Sequence, residues 1–584
     1  MIGFHTFIRL TQNAFADKRD MLKKETWHEV QSIVDEKDSP LFVTRHRSYP
    51  IMFWNKNDYC VLIEGAIYNK SDEIIESELN NIVTNGLKKD EIDAFVSDSD
   101  GDYLVVIKNV RKREVVIFND ILGNIPLNFL FTKDLFVASR SLSYIAANIP
   151  ELYISTTNFA EFLTLDFNLQ NHTIFEGVSQ LMPAQEIRCK EVDGSLQTEI
   201  RNTYEHSFEL INPFRNKKEA AKELAHLFIK GCENRIKYAK EHGYNIVNTM
   251  SGGFDSRTVL GGIEKYLDTY TNITYEYKQD ESEVAKEVLE KVGSKSEFIK
   301  FSFVNKADYQ NDRLTYNTDG KINCYTNSVC YNDLQYGYSH YFSGKKVLYF
   351  GGFGGEFIRH PYFSSAWNRN NIWLRFFSPN INEVCNILKT DNSDVSVIKK
   401  MFKSISASDN QSYCKKFYSE YYTKFVRGAG EDRMRMFYFT VQPLMAKDFI
   451  LAARNRVPLK WCGYVFYKLF LSAINPRLNE VEIWGGRPNI HSLTSLLLND
   501  YRMKGYLINT IKFYILNKRK YKGKPLYGRN LLERNLAQNP YANSVIDVDY
   551  VINNYYKLGG NFQKKLLAAL QYLKMVNQER RNNS

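Results

Sequence analysis

Paired cysteines are missing. The eight in 584 residues are scattered, none forms a C-x-x-C pair, and only Cys324 and Cys330 lie close together. Zinc ligation needs tighter grouping, and a secreted disulfide scaffold would need a signal peptide. The opening residues, Met1-Ile2-Gly3-Phe4-His5, have no basic stretch leading into a long apolar core. No uninterrupted apolar run reaches transmembrane length, so the expected compartment is a reducing cytoplasm. Also absent is the G-x-x-x-x-G-K-[ST] spacing of the common P-loop. What remains is ordinary for a soluble globular chain, with 44% hydrophobic and 24% charged residues. A chain of this length exceeds one core and is expected to hold two or three domains. The 39 Tyr and 38 Phe suit large cores, and the net charge of +11 suits anionic ligands. The basic excess gathers late, over Lys512–Lys524 and at Arg580-Arg581. It reads as a solvated helix face, and no nucleic acid is expected as a partner.

The most informative string is Ser251-Gly252-Gly253-Phe254-Asp255-Ser256-Arg257. It follows a strand-like run, Tyr244 to Thr249, and opens a helix-like run, Thr258 to Tyr266. Two glycines let the backbone pass close to an oxyanion with no Cβ in the way. Amide N–H groups at the helix start then point at the anion, helped by the helix dipole. Ser251 and Ser256 add hydroxyl donors, and Asp255 is placed to hold Mg2+ facing phosphates. SGGxDS resembles the pyrophosphate-binding loop of PP-loop ATP pyrophosphatases, which split ATP between the α- and β-phosphates.

The first two hundred residues read as strands around Leu62–Asn69, Tyr103–Lys108, Glu114–Phe118 and Leu135–Ser139, with an acidic helix around Asp72 to Ile82. Strands packed with helices suit a layered α+β domain. Within them, Gly65-Ala-Ile-Tyr-Asn69 resembles N-G-x-I-Y-N, Gly101-Asp-Tyr-Leu-Val resembles G-D-F-A-F, and Asn119–Leu127 resembles R-D-x-x-G-x-x-P-L. Ala138-Ser139-Arg140 and Thr173–Pro183 continue the series. Together with the loop, these strings resemble the asparagine synthetase family from residue 1 to about 480. The resemblance implies an Ntn-hydrolase-like (class II glutaminase-like) α+β domain over 1–205. It implies an α/β PP-loop (adenine nucleotide α-hydrolase-like) parallel-sheet domain over 206–490. A basic, mostly helical and polar extension is expected over 491–584, with Gln578–Ser584 disordered.

Two departures concern the glutaminase half. The family's nucleophile is a cysteine directly after Met1, whereas this chain has Ile2 and no cysteine before Cys60. The oxyanion-hole Asn of N-G is Glu64, a carboxylate that would oppose a developing oxyanion. The expectation is a domain that no longer hydrolyses glutamine.

In the second half, strands at Tyr244–Thr249 and Asn272–Tyr277 alternate with helices at Lys218–Tyr238 and Asp280–Lys291, which implies a doubly wound sheet. By resemblance, Met250 and Tyr275 border the adenine. A second glycine turn, Gly351-Gly-Phe-Gly-Gly-Glu356, sits where the family has S-G-E-G-x-D-E. Glu356 is kept there as a catalytic and metal-holding acid beside Asp255, while Gly352 and Gly355 replace acids. Lys468 is the candidate for stabilising charge on an acyl-adenylate and departing pyrophosphate. The resemblance implies a ligase that uses ATP and Mg2+ to adenylate a small-molecule, sugar or peptide carboxylate. The acyl group then passes to ammonia or an amine, with ammonia supplied by a separate protein as one option. The alternatives are a catalytically degenerate synthetase kept as a binding scaffold, and a PP-loop tRNA-modifying enzyme.

Overall fold

The computed structural model describes residues 2–581 apart from 24, 268, 277–279, 303–318, 320–333, 335, 360–368, 374–376, 378–380, 389–395, 483–528, 538 and 559. The basic run 512–524 and the pair Cys324 and Cys330 lie outside the described residues.

The N-terminal strands build two antiparallel sheets. The first contains β1 (Gly3–Arg9), β2 (Glu29–Val34), β3 (Leu41–Arg45), β8 (Asn128–Phe131), β9 (Leu135–Ser139) and β10 (Ser179–Gln180), in the order β10-β8-β9-β1-β3-β2. The second contains β4 (Ile51–Lys56), β5 (Tyr59–Ile67), β6 (Gly101–Asn109), β7 (Glu114–Asn119), β11 (Gln185–Val192) and β12 (Ser195–Asn202), in the order β12-β11-β7-β6-β5-β4. Side chains alternate across a strand. Phe4 and Ile8 therefore enter the space between the sheets with Leu62, Leu104 and Ile117, while Phe7 joins Tyr144 and Ile145 on the opposite face. Helices α1 (Asp72–Thr84) and α2 (Lys89–Asp98) cover the second sheet, with Ile75, Leu79 and Phe95 against Ile63 and Val105. Helices α3 (Leu142–Asn148) and α4 (Thr156–Leu165) lie with the first. The layering is helix, sheet, sheet, helix, which is why all nine residues of β6 are buried although the sheet is antiparallel.

The third sheet is parallel: β13 (Asn245–Thr249), β14 (Thr271–Glu276), β15 (Glu297–Ser302), β16 (Val347–Phe350) and β17 (Phe439–Val441), in the order β15-β14-β13-β16-β17. Helix α5 (Lys217–Glu241), capped by the Asn216 side chain accepting from the Lys218 and Glu219 amides, leads into it. From β13 the chain steps outward through α6 (Phe254–Ile263) and α7 (Ser282–Val292), then returns to the other side of β13 with β16. The strand order thus reverses between β13 and β16. In sheets of this kind, ligands bind in the crevice outside the carboxyl ends at that reversal.

The C-terminal extension corrects two expectations. Helix Gly560–Arg581 is not polar throughout, since Leu566, Leu570, Leu573 and Val576 are buried with the residues of α3 and α4. Residues 578–581 also continue this helix instead of fraying. Arg580 donates to the carbonyls of Ala146, Ile149 and Pro150 at the end of α3. Lys565 pairs with Asp166 at 3.0 Å and donates to the Leu163 and Thr164 carbonyls at the end of α4. Cations placed on the free carbonyls of helix C-termini are favoured by hydrogen bonding and by the dipole. No helix among the described residues is long and apolar enough to cross a membrane.

Candidate functional site

Thr249 ends β13 with its hydroxyl on the Phe350 carbonyl, 3.2 Å away, so the two strand ends at the reversal are tied together. The turn that follows is folded on its own serines. Ser256 Oγ accepts from the Ser251 amide (3.1 Å), and Ser251 Oγ accepts from the Gly253 amide (3.2 Å). The Gly252 amide donates to Glu281 Oε2 at 2.7 Å. A carboxylate oxygen from the residue before α7 is thus bound by a backbone N–H of the turn, as an oxyanion would be. Gly253 is the N-cap of α6 and brings no side-chain cap. The first-turn amides of any helix have no intrahelical partner, so here they are left to something outside the helix.

The second glycine turn comes down on the first. Gly351 donates its amide to the Val441 carbonyl (3.0 Å), and Phe353 donates to Gln442 Oε1 (2.9 Å). A Cβ on Gly352 would lie 2.9 Å from Asp255 C and Ser256 N, and one on Gly355 would meet the Asp255 carboxylate and the Tyr467 hydroxyl. Gly352 and Gly355 are therefore more than lost acids: their missing side chains let this turn close over the start of α6.

Four side chains meet there. Arg359 Nη2 is 2.5 Å from Asp255 Oδ2, and its Nε is 3.3 Å from Oδ1. The Tyr467 hydroxyl donates to the same Oδ1 at 2.9 Å and lies 2.8 Å from Thr258 Oγ1. Glu356 Oε1 is 3.8 Å from Arg359 Nη2. Burial, then the charge of Asp255, pushes the Glu356 carboxyl above its ordinary range, with Arg359 opposing. Asp255, Arg359 and Glu356 keep 20, 17 and 23% of their side-chain surface exposed, so the cluster is reachable from solvent.

The structure brings together Ser251, Gly252, Gly253, Phe254, Asp255, Ser256, Gly351 and Glu356, but not every expected residue joins them. Arg257 spends its guanidinium on the carbonyls of Gly252, Gly253, Leu478, Val481 and Glu482, and burial pulls its pKa down to about 10. It clamps the turn to residues 478–482 and is not placed as a phosphate ligand. Lys468 is half-buried, its pKa lowered by burial and then by Arg257. Its neighbour Tyr467 is the residue of helix Tyr464–Ile474 that touches the cluster. Met250 is buried, its amide on the Ile273 carbonyl at 2.8 Å. Tyr275 packs its ring on Phe301 and accepts a hydrogen bond from the Tyr349 hydroxyl. Arg359, Tyr467 and Glu281 were not singled out by sequence. The only signal was position, three residues beyond Glu356 for Arg359 and at the head of an acidic helix for Glu281.

For magnesium the fit is poor. Among the described residues no group of three or more His, Cys, Asp or Glu side chains could hold a metal ion. Both oxygens of Asp255 are already engaged by Arg359 and Tyr467, so a metal there would have to displace a guanidinium.

A second constellation lies in the N-terminal layers. Glu64, on β5, is fully buried, accepting from the Phe4 amide (2.8 Å), Tyr49 Oη (2.5 Å) and Arg140 Nε (2.7 Å). Gly3 has φ +126°, and a Cβ there would run into Glu64 and Arg140. Arg140 continues to Asp432 (Nη2 to Oδ1, 2.6 Å) in helix Gly428–Arg435, where Arg435 also holds Asp432 at 3.1 Å. Burial raises the Glu64 pKa against the pull of Arg140. Burial also works against the Arg140 charge, but Asp432 and Glu64 outweigh it. Nearby, Asp120 accepts from the Leu122 and Asn124 amides, which shapes the turn of the Asn119–Leu127 string. Tyr68 Oη donates to Asp102, tying together two of the other matched strings.

These strings sit on the strands of one layered domain, and residues 43–199 match the family model of the glutamine amidotransferase domain. Over residues 43–199 the chain is similar to glutamine amidotransferase domains of the Ntn type. This match bears out the class II glutaminase-like reading of the N-terminal domain, and it stops short of the parallel sheet. No curated protein matches the chain. Among solved structures, the chain is similar to the glutamine phosphoribosylpyrophosphate amidotransferase from B. subtilis complexed with ADP and GMP. That likeness has 10% identity, 51% of this chain, 91% of that chain and a TM-score of 0.24. It is also similar to a structure described as the allosteric regulatory enzyme of purine biosynthesis, with 9% identity, 51% and 80% coverage and a TM-score of 0.23. Both likenesses are too distant to bear on chemistry. The amidotransferase domain faces the parallel-sheet half through Asp100, which accepts from Arg235 of α5 (2.9 Å) and from the Lys447 amide (2.9 Å).

Proposed function

We propose that the chain is an ATP-dependent, amide-bond-forming ligase of the asparagine synthetase type whose amidotransferase domain does not hydrolyse glutamine. The observation that carries this reading is the place of Ser251–Ser256, at the reversal point of a parallel sheet with an uncapped helix start behind it. ATP is the substrate, its β- and γ-phosphates on the turn. A carboxylate oxygen of the acceptor attacks the α-phosphorus, and the bond to the bridging oxygen breaks to release pyrophosphate. An amine or ammonia nitrogen then attacks the acyl carbon and AMP leaves. The chain positions reactants and neutralises charge through the first-turn amides of α6, and through the Gly252 amide once a phosphate oxygen replaces the Glu281 carboxylate on it. The acceptor is a small-molecule, sugar or peptide carboxylate, and the nitrogen comes as ammonia or an amine from outside the amidotransferase domain.

Loss of glutamine hydrolysis is supported by three features. Ile2, which leads into β1, has no nucleophile. Burial raises the Cys60 thiol to about 11, which keeps it protonated. Glu64 and Arg140 fill the space beside Gly3 and Phe4 with their own ion pair.

The Asp255–Arg359 pair favours a second reading, a degenerate synthetase that serves as a binding scaffold. ATP–pyrophosphate exchange against a panel of carboxylates, with nucleotide titration calorimetry, separates the two. Exchange with any carboxylate supports the ligase. Absence of both exchange and nucleotide binding leaves the scaffold.

A further inference from the structure

Magnesium is the cation that the resemblance implies at Asp255, yet both oxygens of that carboxylate are already hydrogen-bonded. Arg359 stands there instead, with Nη2 at 2.5 Å from Asp255 and 3.8 Å from Glu356. Tyr467 pins the remaining face of the Asp255 carboxylate from a different helix. We propose that Arg359 is the built-in cation of this site. In place of a divalent metal, it meets an inorganic pyrophosphate or the phosphate tail of a nucleotide at the solvent-reachable side of the cluster, beside the start of α6. The class of ligand rests on the nucleotide reading above; the absence of a metal requirement does not.

Three observations converge on this assignment. First, the second turn is closed too far for an acid at position 355, whose Cβ would meet the Asp255 carboxylate. Mg2+ at a nucleotide is held by one or two carboxylates together with the phosphates, and here the Asp255 carboxylate is already taken by the Arg359 guanidinium and the Tyr467 hydroxyl. Second, a guanidinium is planar and permanently charged, and its fork suits phosphate oxygens as well as carboxylates. It can be shared between Asp255 and an arriving phosphate without leaving either charge unpaired. Third, the N-cap of α6 is Gly253 with no side-chain cap, and Arg359 is held by Asp255 in the first turn of the same helix.

The test is calorimetric titration of inorganic pyrophosphate into the full chain, once in EDTA and once in excess Mg2+. The affinity in EDTA is expected to stay within about threefold of that in Mg2+, and Arg359→Gln is expected to lower it about tenfold or more, as loss of a charge-assisted hydrogen bond requires. Arg359→Lys should fall between the two. The wild-type comparison needs no variant, so poor folding of Arg359→Gln does not shield the proposal. Binding that requires Mg2+, no binding under either condition, or unchanged binding in a folded Arg359→Gln each overturns it. Carboxylate-dependent exchange in Mg2+ with no pyrophosphate binding in EDTA overturns this inference and spares the ligase reading. Binding in EDTA with no exchange for any carboxylate does the reverse.

Discussion

Glu64 and Arg140 meet with 0 and 1% of their side-chain surface exposed, and Asp432 beyond them keeps 4%. Breaking one partner out of a buried pair leaves an uncompensated charge, which costs about 3–5 kcal/mol. Glu64→Ala is therefore expected to lose stability in that range in urea unfolding, and Glu64→Ala/Arg140→Met to lose less than the sum of the single changes. Glu64→Asn, which restores the amide of the N-G string, is expected to release no ammonia from glutamine in a coupled assay, because no nucleophile accompanies it. At the other site, Gly355→Asp restores the acid of the resemblance but drives it into Asp255 and Tyr467. Overpacking and like charge together are expected to cost about 1–3 kcal/mol. Denaturation curves with and without Mg2+ should coincide for that variant; a clear gain of stability in Mg2+ would show that a metal site had been recovered.

Among the strands, β6 carries a lysine into the space between the two antiparallel sheets. Lys108 is fully buried, donates to Thr6 Oγ1 (3.0 Å) and the Phe7 carbonyl (3.4 Å), and burial pulls its pKa from 10.5 to about 7. The unfolded chain keeps this proton up to about pH 10, while the folded chain gives it up near pH 7. Between those values the unfolded state holds more protons, and stability rises with pH by up to about 1.4 kcal/mol per unit from this group. Lys108→Met is expected to be more stable than wild type at pH 7, the gap closing as pH approaches 10. Urea midpoints at pH 7, 8.5 and 10 measure this, and a gap that stays constant with pH would be the contrary result. The apolar run Tyr103–Ile107 marks β6 as a strand, but the lysine that closes the run reads as solvent-facing until the other sheet is known to cover it.

The halves of the molecule are joined by more than the chain between them. Arg235 and the Lys447 amide hold Asp100, Arg140 holds Asp432, and His46 Nε2 lies 2.7 Å from the Arg435 carbonyl. The C-terminal helix completes the amidotransferase domain from the far end of the sequence, with its leucines against α3 and α4 and Arg580 on the carbonyl end of α3. Deleting 560–584 should expose that apolar face, so the truncated protein is expected to unfold at lower temperature and to aggregate. Scanning calorimetry and gel filtration against the full chain check this. Equal midpoints would mean that the helix is an accessory.

Local pattern was enough to specify the strand-turn-helix around Ser251–Ser256, the strands of the layered domain, and the string-by-string likeness that the match over 43–199 bears out. Those features depend on neighbours two to four positions apart, where side-chain period and glycine content act directly. The ion pairs that set the character of both sites were not legible in the same way. Asp255 and Arg359 are 104 positions apart, and Arg140 and Asp432 are 292 apart. Whether an acid faces a metal, a phosphate or a guanidinium is decided by which segments packing brings beside it. For the C-terminal helix the composition suggested a polar tail, and only its docking against α3 and α4 showed which of its faces is buried.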